Sequence, residues 1–291
     1  MNTRAALVGP LLALVACAGK VTDPPDAPAD PYDNACPKSG GPMVEVPAPQ
    51  GGAPFCIDAT EVTNAAYATW LGTDPGPEFL PRQCTAGPWL YGLTMGDYRP
   101  QELERVGLPQ HLHWPVSAAL DDEPVVWVYW CDAAAFCAGN GKRLCGRVGG
   151  GNIPLAGDFY PELTPDLGDP SVSEFVYAAT RGGTQTFVYG DQHESGSCWP
   201  ENGGFAASGV VTLHAVHSKP RCEGGYPGIF DLQGNAAELL DACNLTAGDD
   251  HGGGPTCAAA PGRWTVDGDV GVLFTYTTAS VGFRCCADPV P

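Results

Sequence analysis

The chain has 291 residues, 44% of them hydrophobic, enough for one large domain or two small ones with a real core. Its 33 acidic and 14 basic residues give a formal net charge of −19, which excludes nucleic acid and bare anionic lipid surfaces as electrostatic partners. The 39 Gly and 29 Pro predict turns and long loops in place of extensive regular structure.

The first segment reads as targeting. Arg4 precedes an apolar run from Ala5 to Ala16 that is too short to cross a bilayer. It ends Leu14-Val15-Ala16-Cys17, small residues before a cysteine, which is the lipobox pattern for a diacylated N-terminus. The expectation is a lipoprotein signal over 1–16, lipidation at Cys17, and a disordered Pro- and Asp-rich tether to residue 35. One domain follows over 36–291, held to the membrane of a bacterial cell envelope through the lipid. An ordinary secretory signal with an incidental cysteine is the competing reading.

Met43-Val-Glu-Val46 alternates as a half-buried strand does, and Phe55-Cys-Ile57 is its expected hairpin partner. Thr63 suits an N-cap for a helix over Ala65–Leu71, with Tyr67, Trp70 and Leu71 on its apolar side and Gly72 as its stop. Residues 73–123 show no period and read as a long loop region carrying Trp89, Tyr91, Tyr98 and Trp114. Val125 to Trp130 is β-branched and aromatic, predicting a strand. Asp132 then caps a second helix, Ala133 to Ala138, stopped by Gly139-Asn140-Gly141. A third helical stretch runs from Ser173 to Ala179. Few helices, short strands and long loops make an α+β class, with no internal repeat and no second domain.

Of 13 cysteines, setting Cys17 aside for lipid leaves 12. An exported chain meets an oxidising compartment, so the default is six disulfides, each worth about 2–4 kcal/mol. Spacing does not fix connectivity. Cys36–Cys56 would clip the first hairpin, and Cys84–Cys131, Cys198–Cys222 and Cys243–Cys257 would close nearby loops. The neighbours Cys285 and Cys286 serve different partners, because a vicinal bridge is strained. Metal ligation is the competing role. The His111/His113 and His214/His217 couplets lack an acidic or Cys partner at zinc spacing, so the six His read as surface residues.

Four stretches, taken in order, carry a resemblance. They are Phe55-Cys-Ile-Asp-Ala-Thr-Glu-Val-Thr-Asn64, Pro124-Val-Val-Trp-Val-Tyr-Trp-Cys-Asp-Ala133 running on to Gly141-Lys-Arg-Leu144, Gly228-Ile-Phe-Asp-Leu-Gln-Gly-Asn-Ala-Ala-Glu238, and Val281-Gly-Phe-Arg-Cys-Cys286. Over roughly residues 40–287 the chain resembles the formylglycine-generating enzyme family, also called the sulfatase-modifying factor domain. The resemblance implies a compact, loop-dominated fold related to C-type lectins. It also implies a Cys137–Cys285 bridge, which leaves Cys145–Cys286.

Two metal sites follow from it as well. Family members bind calcium at the 231–238 stretch, which carried over gives Gln233, Gly234, the Ala236 backbone and the Glu238 carboxylate. A tight Gly turn that exposes carbonyls near a carboxylate suits calcium's preference for six to eight oxygens. The competing reading is a polar turn in which Asn235 caps a helix start. Ala237 and Leu239 stand where the family has Trp. The second family calcium site falls at Trp199, which cannot ligate; Asp191, Glu194, Glu201 and Asn202 are its nearby substitutes.

Family enzymes bind copper(I) through two Cys between the G-N-x-x-E and G-F-R-C motifs, soft thiolates matching a soft ion. In that interval only Cys243 and Cys257 occur, fourteen apart, without the family's Arg-rich context or its R-G-G-S run. Ala179 also replaces a family Cys before Arg181-Gly-Gly183. No catalytic residue and no copper are therefore expected, and Cys243 and Cys257 are the candidates should the chain be an oxidase. The expected function is a noncatalytic binding or structural lipoprotein, with Trp89, Trp114 and Trp199 available to stack on a glycan or peptide. For each Trp the competing reading is a loop anchor. The alternative function is a formylglycine-generating oxidase acting on a cysteine of an exported sulfatase-type protein. G-x-S-x-G, P-loop, H-E-x-x-H and dinucleotide patterns are absent.

Overall fold

Two small sheets meet at a single residue near the end of the chain. The computed structural model describes residues 30–47, 52–85, 117–126, 128–153, 167–199, 213–244, 256–260 and 281–290. Cys17 and the tether before residue 30 lie outside these residues, as do Trp89, Tyr91, Tyr98, His111, His113, Trp114, Glu201 and Asn202. From Pro31 onward the described chain belongs to one compact unit. None of its described helices is long and apolar enough to cross a membrane.

The first sheet pairs β1 (Met43–Val46) with β2 (Phe55–Asp58), β2 with β7 (Cys285–Ala287), and β7 with β3 (Arg143–Leu144), all antiparallel. The alternation read in Met43-Val-Glu-Val46 is the observed burial pattern: only Glu45 is exposed. All four residues of β2 are buried, as befits a strand flanked on both sides. The second sheet places β4 (Ala237–Asn244) between β5 (Thr256–Ala260), antiparallel, and β6 (Val281–Phe283), parallel. The β4–β5 register shifts between Leu239 and Cys243. β6 and β7 belong to different sheets and only Arg284 separates them.

Helix α1 (Asn64–Leu71) begins at a Thr63 cap whose hydroxyl accepts from the Ala66 N–H, and Gly72 returns its own N–H to the Ala68 carbonyl. A four-residue turn of helix, α2 (Arg82–Thr85), follows. Helix α3 (Trp130–Gly139) starts three residues earlier than an Asp132 cap would place it; its cap is Tyr129, and Asp132 sits inside the first turn, where the helix dipole favours a carboxylate. Helix α4 (Glu174–Ala179) is capped by Ser173, whose hydroxyl accepts from Val176 N–H.

The expected strand over Val125–Trp130 is not formed by the described residues there. The segment is tied by one bridge, Thr63 to Pro124, and by the Val125 N–H to the Val62 carbonyl, and Trp130 already opens α3. Its β-branched residues signal burial instead of pairing. Val125 and Val128 pack into a core with Tyr67, Trp70, Phe136 and Phe283. In that core Tyr67 stacks on Phe136 at 5.5 Å and Phe283 meets Phe136 edge-on at 5.5 Å. A second core gathers β1, β2, α4 and the start of the 228–240 stretch around Ile57, Phe175, Ile229 and Leu240.

Five disulfides bind the described chain. Cys36–Cys56 holds the N-terminal segment to β2, and Cys84–Cys131 joins α2 to α3. Cys137–Cys285 and Cys145–Cys286 fasten the chain on either side of β3 to adjacent residues of β7, and Cys198–Cys222 closes a loop. Cys243 and Cys257 are directly opposite each other in the β4–β5 register.

Candidate functional site around Arg284

The turn from Gly228 to Asn235 brings the 231–238 stretch under the second sheet. Its path needs a left-handed backbone at Asp231 (φ 56°), Gly234 (φ 89°) and Asn235 (φ 58°). Gly234 has no alternative: a Cβ there would lie 2.2 Å from the Trp199 carbonyl oxygen. Asn235 does not cap a helix, since the chain continues directly into β4. Its amide instead clamps the backbone of His214, accepting from the His214 N–H at 3.0 Å and donating to the His214 carbonyl at 3.1 Å.

Beneath this turn lies a group of buried charges. Arg284 is 1% exposed. Its Nε donates to Glu238 Oε2 at 2.7 Å and its Nη2 to Glu238 Oε1 at 2.7 Å. The same guanidinium donates to the Asp58 carbonyl at 3.2 Å and the Phe230 carbonyl at 3.0 Å. One cation thus knits β2, the turn and β4 at the point where the chain changes sheets.

Glu61, 1% exposed, faces this group from the segment between β2 and α1. Its Oε1 accepts weakly from the Ala236 N–H at 3.4 Å, and its Oε2 has no partner. Asp231 Oδ2 accepts from the His217 N–H at 2.6 Å, and its Oδ1 has no partner. The amide oxygen of Gln233 is also buried without one. Burial first, then the charges of Asp231 and Glu238, push the Glu61 carboxyl well above its ordinary range, with Arg284 opposing. Burial raises Asp231 too, against the His217 N–H and Arg284. Both directions share one leading cause, burial away from water.

The neighbouring ion pairs are matched. Lys142 Nζ donates to Asp58 Oδ1 at 2.6 Å while Asp58 Oδ2 accepts from the Cys285 N–H at 2.8 Å. Arg143 grips both oxygens of Glu174 at 2.6 Å, and Glu174 Oε2 also accepts from the Gly146 N–H. The Gly-Lys-Arg-Leu stretch is therefore structural: it supplies one cation to β2 and one to α4.

Of the four expected calcium ligands, the fold puts Gln233, Gly234, Ala236 and Glu238 on one turn and strand start, but it gives both Glu238 oxygens to Arg284. Three buried side-chain oxygens among the described residues, Glu61 Oε2, Asp231 Oδ1 and Gln233 Oε1, have no hydrogen-bond partner. Among the described residues no group of three or more His, Cys, Asp or Glu is arranged to hold a metal ion. Glu61, Asp231 and Arg284 were quoted within the motifs but given no role. The signal was present, since these motifs carry charges that the fold buries: Asp58 and Glu61 in the first, Asp231 and Glu238 in the third, Arg284 in the last.

The other expected positions have partners within the chain. Trp199 is an anchor: its ring stacks on His214 at 3.4 Å, Lys219 Nζ lies 4.3 Å from its centroid, and its Nε1 donates to Ser218 Oγ. Asp191 accepts from the Thr186 N–H, and Glu194 pairs with Arg221 and Ser197.

The model of the family described as the sulfatase-modifying factor enzyme 1-like domain matches residues 41–272. The chain belongs to this family. Its loop-rich α+β fold is that of a divergent sulfatase-modifying-factor domain. No curated protein matches. Among solved structures, the crystal structure of CarF is similar at 17% identity and a TM-score of 0.43, over 81% of this chain and 86% of that one. PvdO from Pseudomonas aeruginosa is similar at 15% identity and 0.42, over 89% and 99%. Treponema denticola variable protein 1 is similar at 19% and 0.40, over 81% and 85%. No residue role transfers from likenesses this distant.

Proposed function

We propose that this sulfatase-modifying-factor domain is noncatalytic: a binding or structural module displayed on the cell envelope by a lipid on Cys17. The observation that carries the reading is the position of its last two cysteines. The five bridges hold ten of the 12 cysteines that follow Cys17, which leaves Cys243 and Cys257. These face each other directly across β4 and β5. Opposed residues of an antiparallel pair have Cα atoms about 4.5–5.5 Å apart, within the span a disulfide bridges. In an oxidising compartment such a pair is a cross-link, and a thiol-dependent oxidase has no thiol left to use.

The same facing positions favour one second reading. If reduced, Cys243 and Cys257 are the two thiolates that could hold copper(I), the ion that supplies oxygen activation in the family, and the domain would then act on a cysteine of an exported sulfatase-type substrate. Counting free thiols in the denatured, nonreduced protein separates the two. We expect none; two free thiols together with copper(I) uptake would establish the oxidase.

For the noncatalytic module, calcium is a structural ion that neutralises the buried acidic pocket, with Gln233 and the carbonyls of Gly234 and Ala236 on the turn that would hold it. A glycan or peptide is the ligand class that fits a lectin-related domain with long loops. A glycan and peptide array probed with the soluble domain tests for it, and an array without hits leaves the structural role.

A further inference from the structure

We propose that the Cys198–Cys222 bridge is a redox-labile clasp: in the folded domain a dithiol opens it before the buried bridges, and Trp199 then leaves the 214–219 segment and becomes an exposed ring. The bridge spans 24 residues of chain. It uses neither Cys243 nor Cys257, so the clasp serves the noncatalytic module and the oxidase alike.

Three observations carry this. First, the bridge can be attacked from one side. Eight of the ten bridged cysteines are buried, while Cys198 is half-buried, as is Cys131 in the Cys84–Cys131 bridge. Exposed bridges are the ones a thiol reaches, and labile and regulatory disulfides are drawn from them. Cys137–Cys285 and Cys145–Cys286 lie inside the two cores, at most 1% exposed, and close 148 and 141 residues, so a reductant reaches them only when the cores open. Second, the opened form has a place for its buried thiol. Cys222 is buried with its Sγ 3.2 Å from the Gln233 carbonyl oxygen. A disulfide sulfur has no proton to donate, whereas a thiol there donates to that carbonyl. A reductant thiolate attacks Cys198 Sγ, the S–S bond breaks, and Cys222 leaves as a thiolate that takes up a proton. The reductant's second thiolate then displaces Cys198 from the mixed disulfide. Two electrons pass to the cystine and the dithiol ends as a disulfide. Third, the other ties of this corner lie at or near the surface. Trp199 Nε1 donates to Ser218 Oγ at 2.9 Å, Lys219 Nζ donates to the Gly196 carbonyl at 3.2 Å, and Arg221 pairs with Glu194. The Arg221 and Glu194 side chains are 71% and 47% exposed, where an ion pair contributes little. The 214–219 side stays behind, because Asn235 holds the His214 backbone and Asp231 the His217 N–H. Cys198 directly precedes Trp199, so the indole that stacks on His214 is what the opened bridge lets go.

The test exposes the folded, nonreduced chain to dithiothreitol at neutral pH, quenches with iodoacetamide at intervals, and reads each cysteine by peptide mapping. Cys198 and Cys222 are expected to be alkylated about tenfold sooner than Cys137, Cys145, Cys285 and Cys286, with the far-UV circular dichroism unchanged. Over the same interval acrylamide quenching of tryptophan emission should rise, and Trp199→Phe should abolish that rise. The double variant Cys198→Ser/Cys222→Ser should show the raised quenching without reductant, and Cys84→Ser/Cys131→Ser should not. The proposal fails if the pair opens no sooner than the buried bridges, or opens only as the circular dichroism collapses. It fails equally if the pair opens while the quenching stays flat, since the bridge is then accessible but holds nothing, or if loss of Cys84–Cys131 exposes the same ring.

Discussion

Two buried charge systems lie side by side in this domain and are built differently. In the first sheet each cation has its own carboxylate, Lys142 with Asp58 and Arg143 with Glu174, and the spare carboxylate oxygens accept from the backbone at Cys285 and Gly146. One residue along the chain from Cys285, Arg284 faces three carboxylates and satisfies one. The matched pairs can do nothing beyond holding β2, β3 and α4 together. The unmatched pocket has acceptors to spare, which is the property a binding site needs and a purely structural pair avoids. The contrast is what marks this pocket as the candidate site.

Substitutions can break the comparison. Arg284→Met removes the one cation of the crowded pocket and frees four acceptors, so it should be the most damaging, by about 5 kcal/mol, the upper end for breaking a buried ion pair; chemical denaturation reads it, and a loss below about 1 kcal/mol would mean that the pocket is neutral without its arginine. Asp58→Asn in the matched system leaves Lys142 buried without its carboxylate, yet the amide oxygen can still accept and Gly41 still receives the ammonium; about 3 kcal/mol is expected. Glu61→Gln sharpens the contrast because its sign is reversed: a neutral side chain in the overcrowded pocket should cost no stability in chelator, where the same kind of change at Asp58 is costly. Thr63→Ala, which touches neither system, should cost only about 1 kcal/mol through the lost cap of α1, and serves as the baseline for all three.

The legible part of this protein was local. The alternation of Met43-Val-Glu-Val46 and the Thr63 cap with its Gly72 stop each follow from a few neighbouring residues, and the structure forms both elements. Where the pattern misled, tertiary burial had overridden it. The Val125–Trp130 run carries strand residues because it is packed on Tyr67 and Phe136, while its backbone is tied at one bridge and turns into α3. The candidate site was half legible. The turn at 231–238 stood out by its Gly and its carboxylate, but the pairing of both Glu238 oxygens with Arg284 did not.

The order of motifs along the chain was enough to fix the family and the kind of fold, because each motif encodes a turn, a cap or a buried strand through neighbouring side chains. Which of three acidic groups receives the lone guanidinium was decided only by folding. Residues 61, 238 and 284 meet across two sheets, and no local rule can rank carboxylates that compete for one cation from opposite ends of a chain.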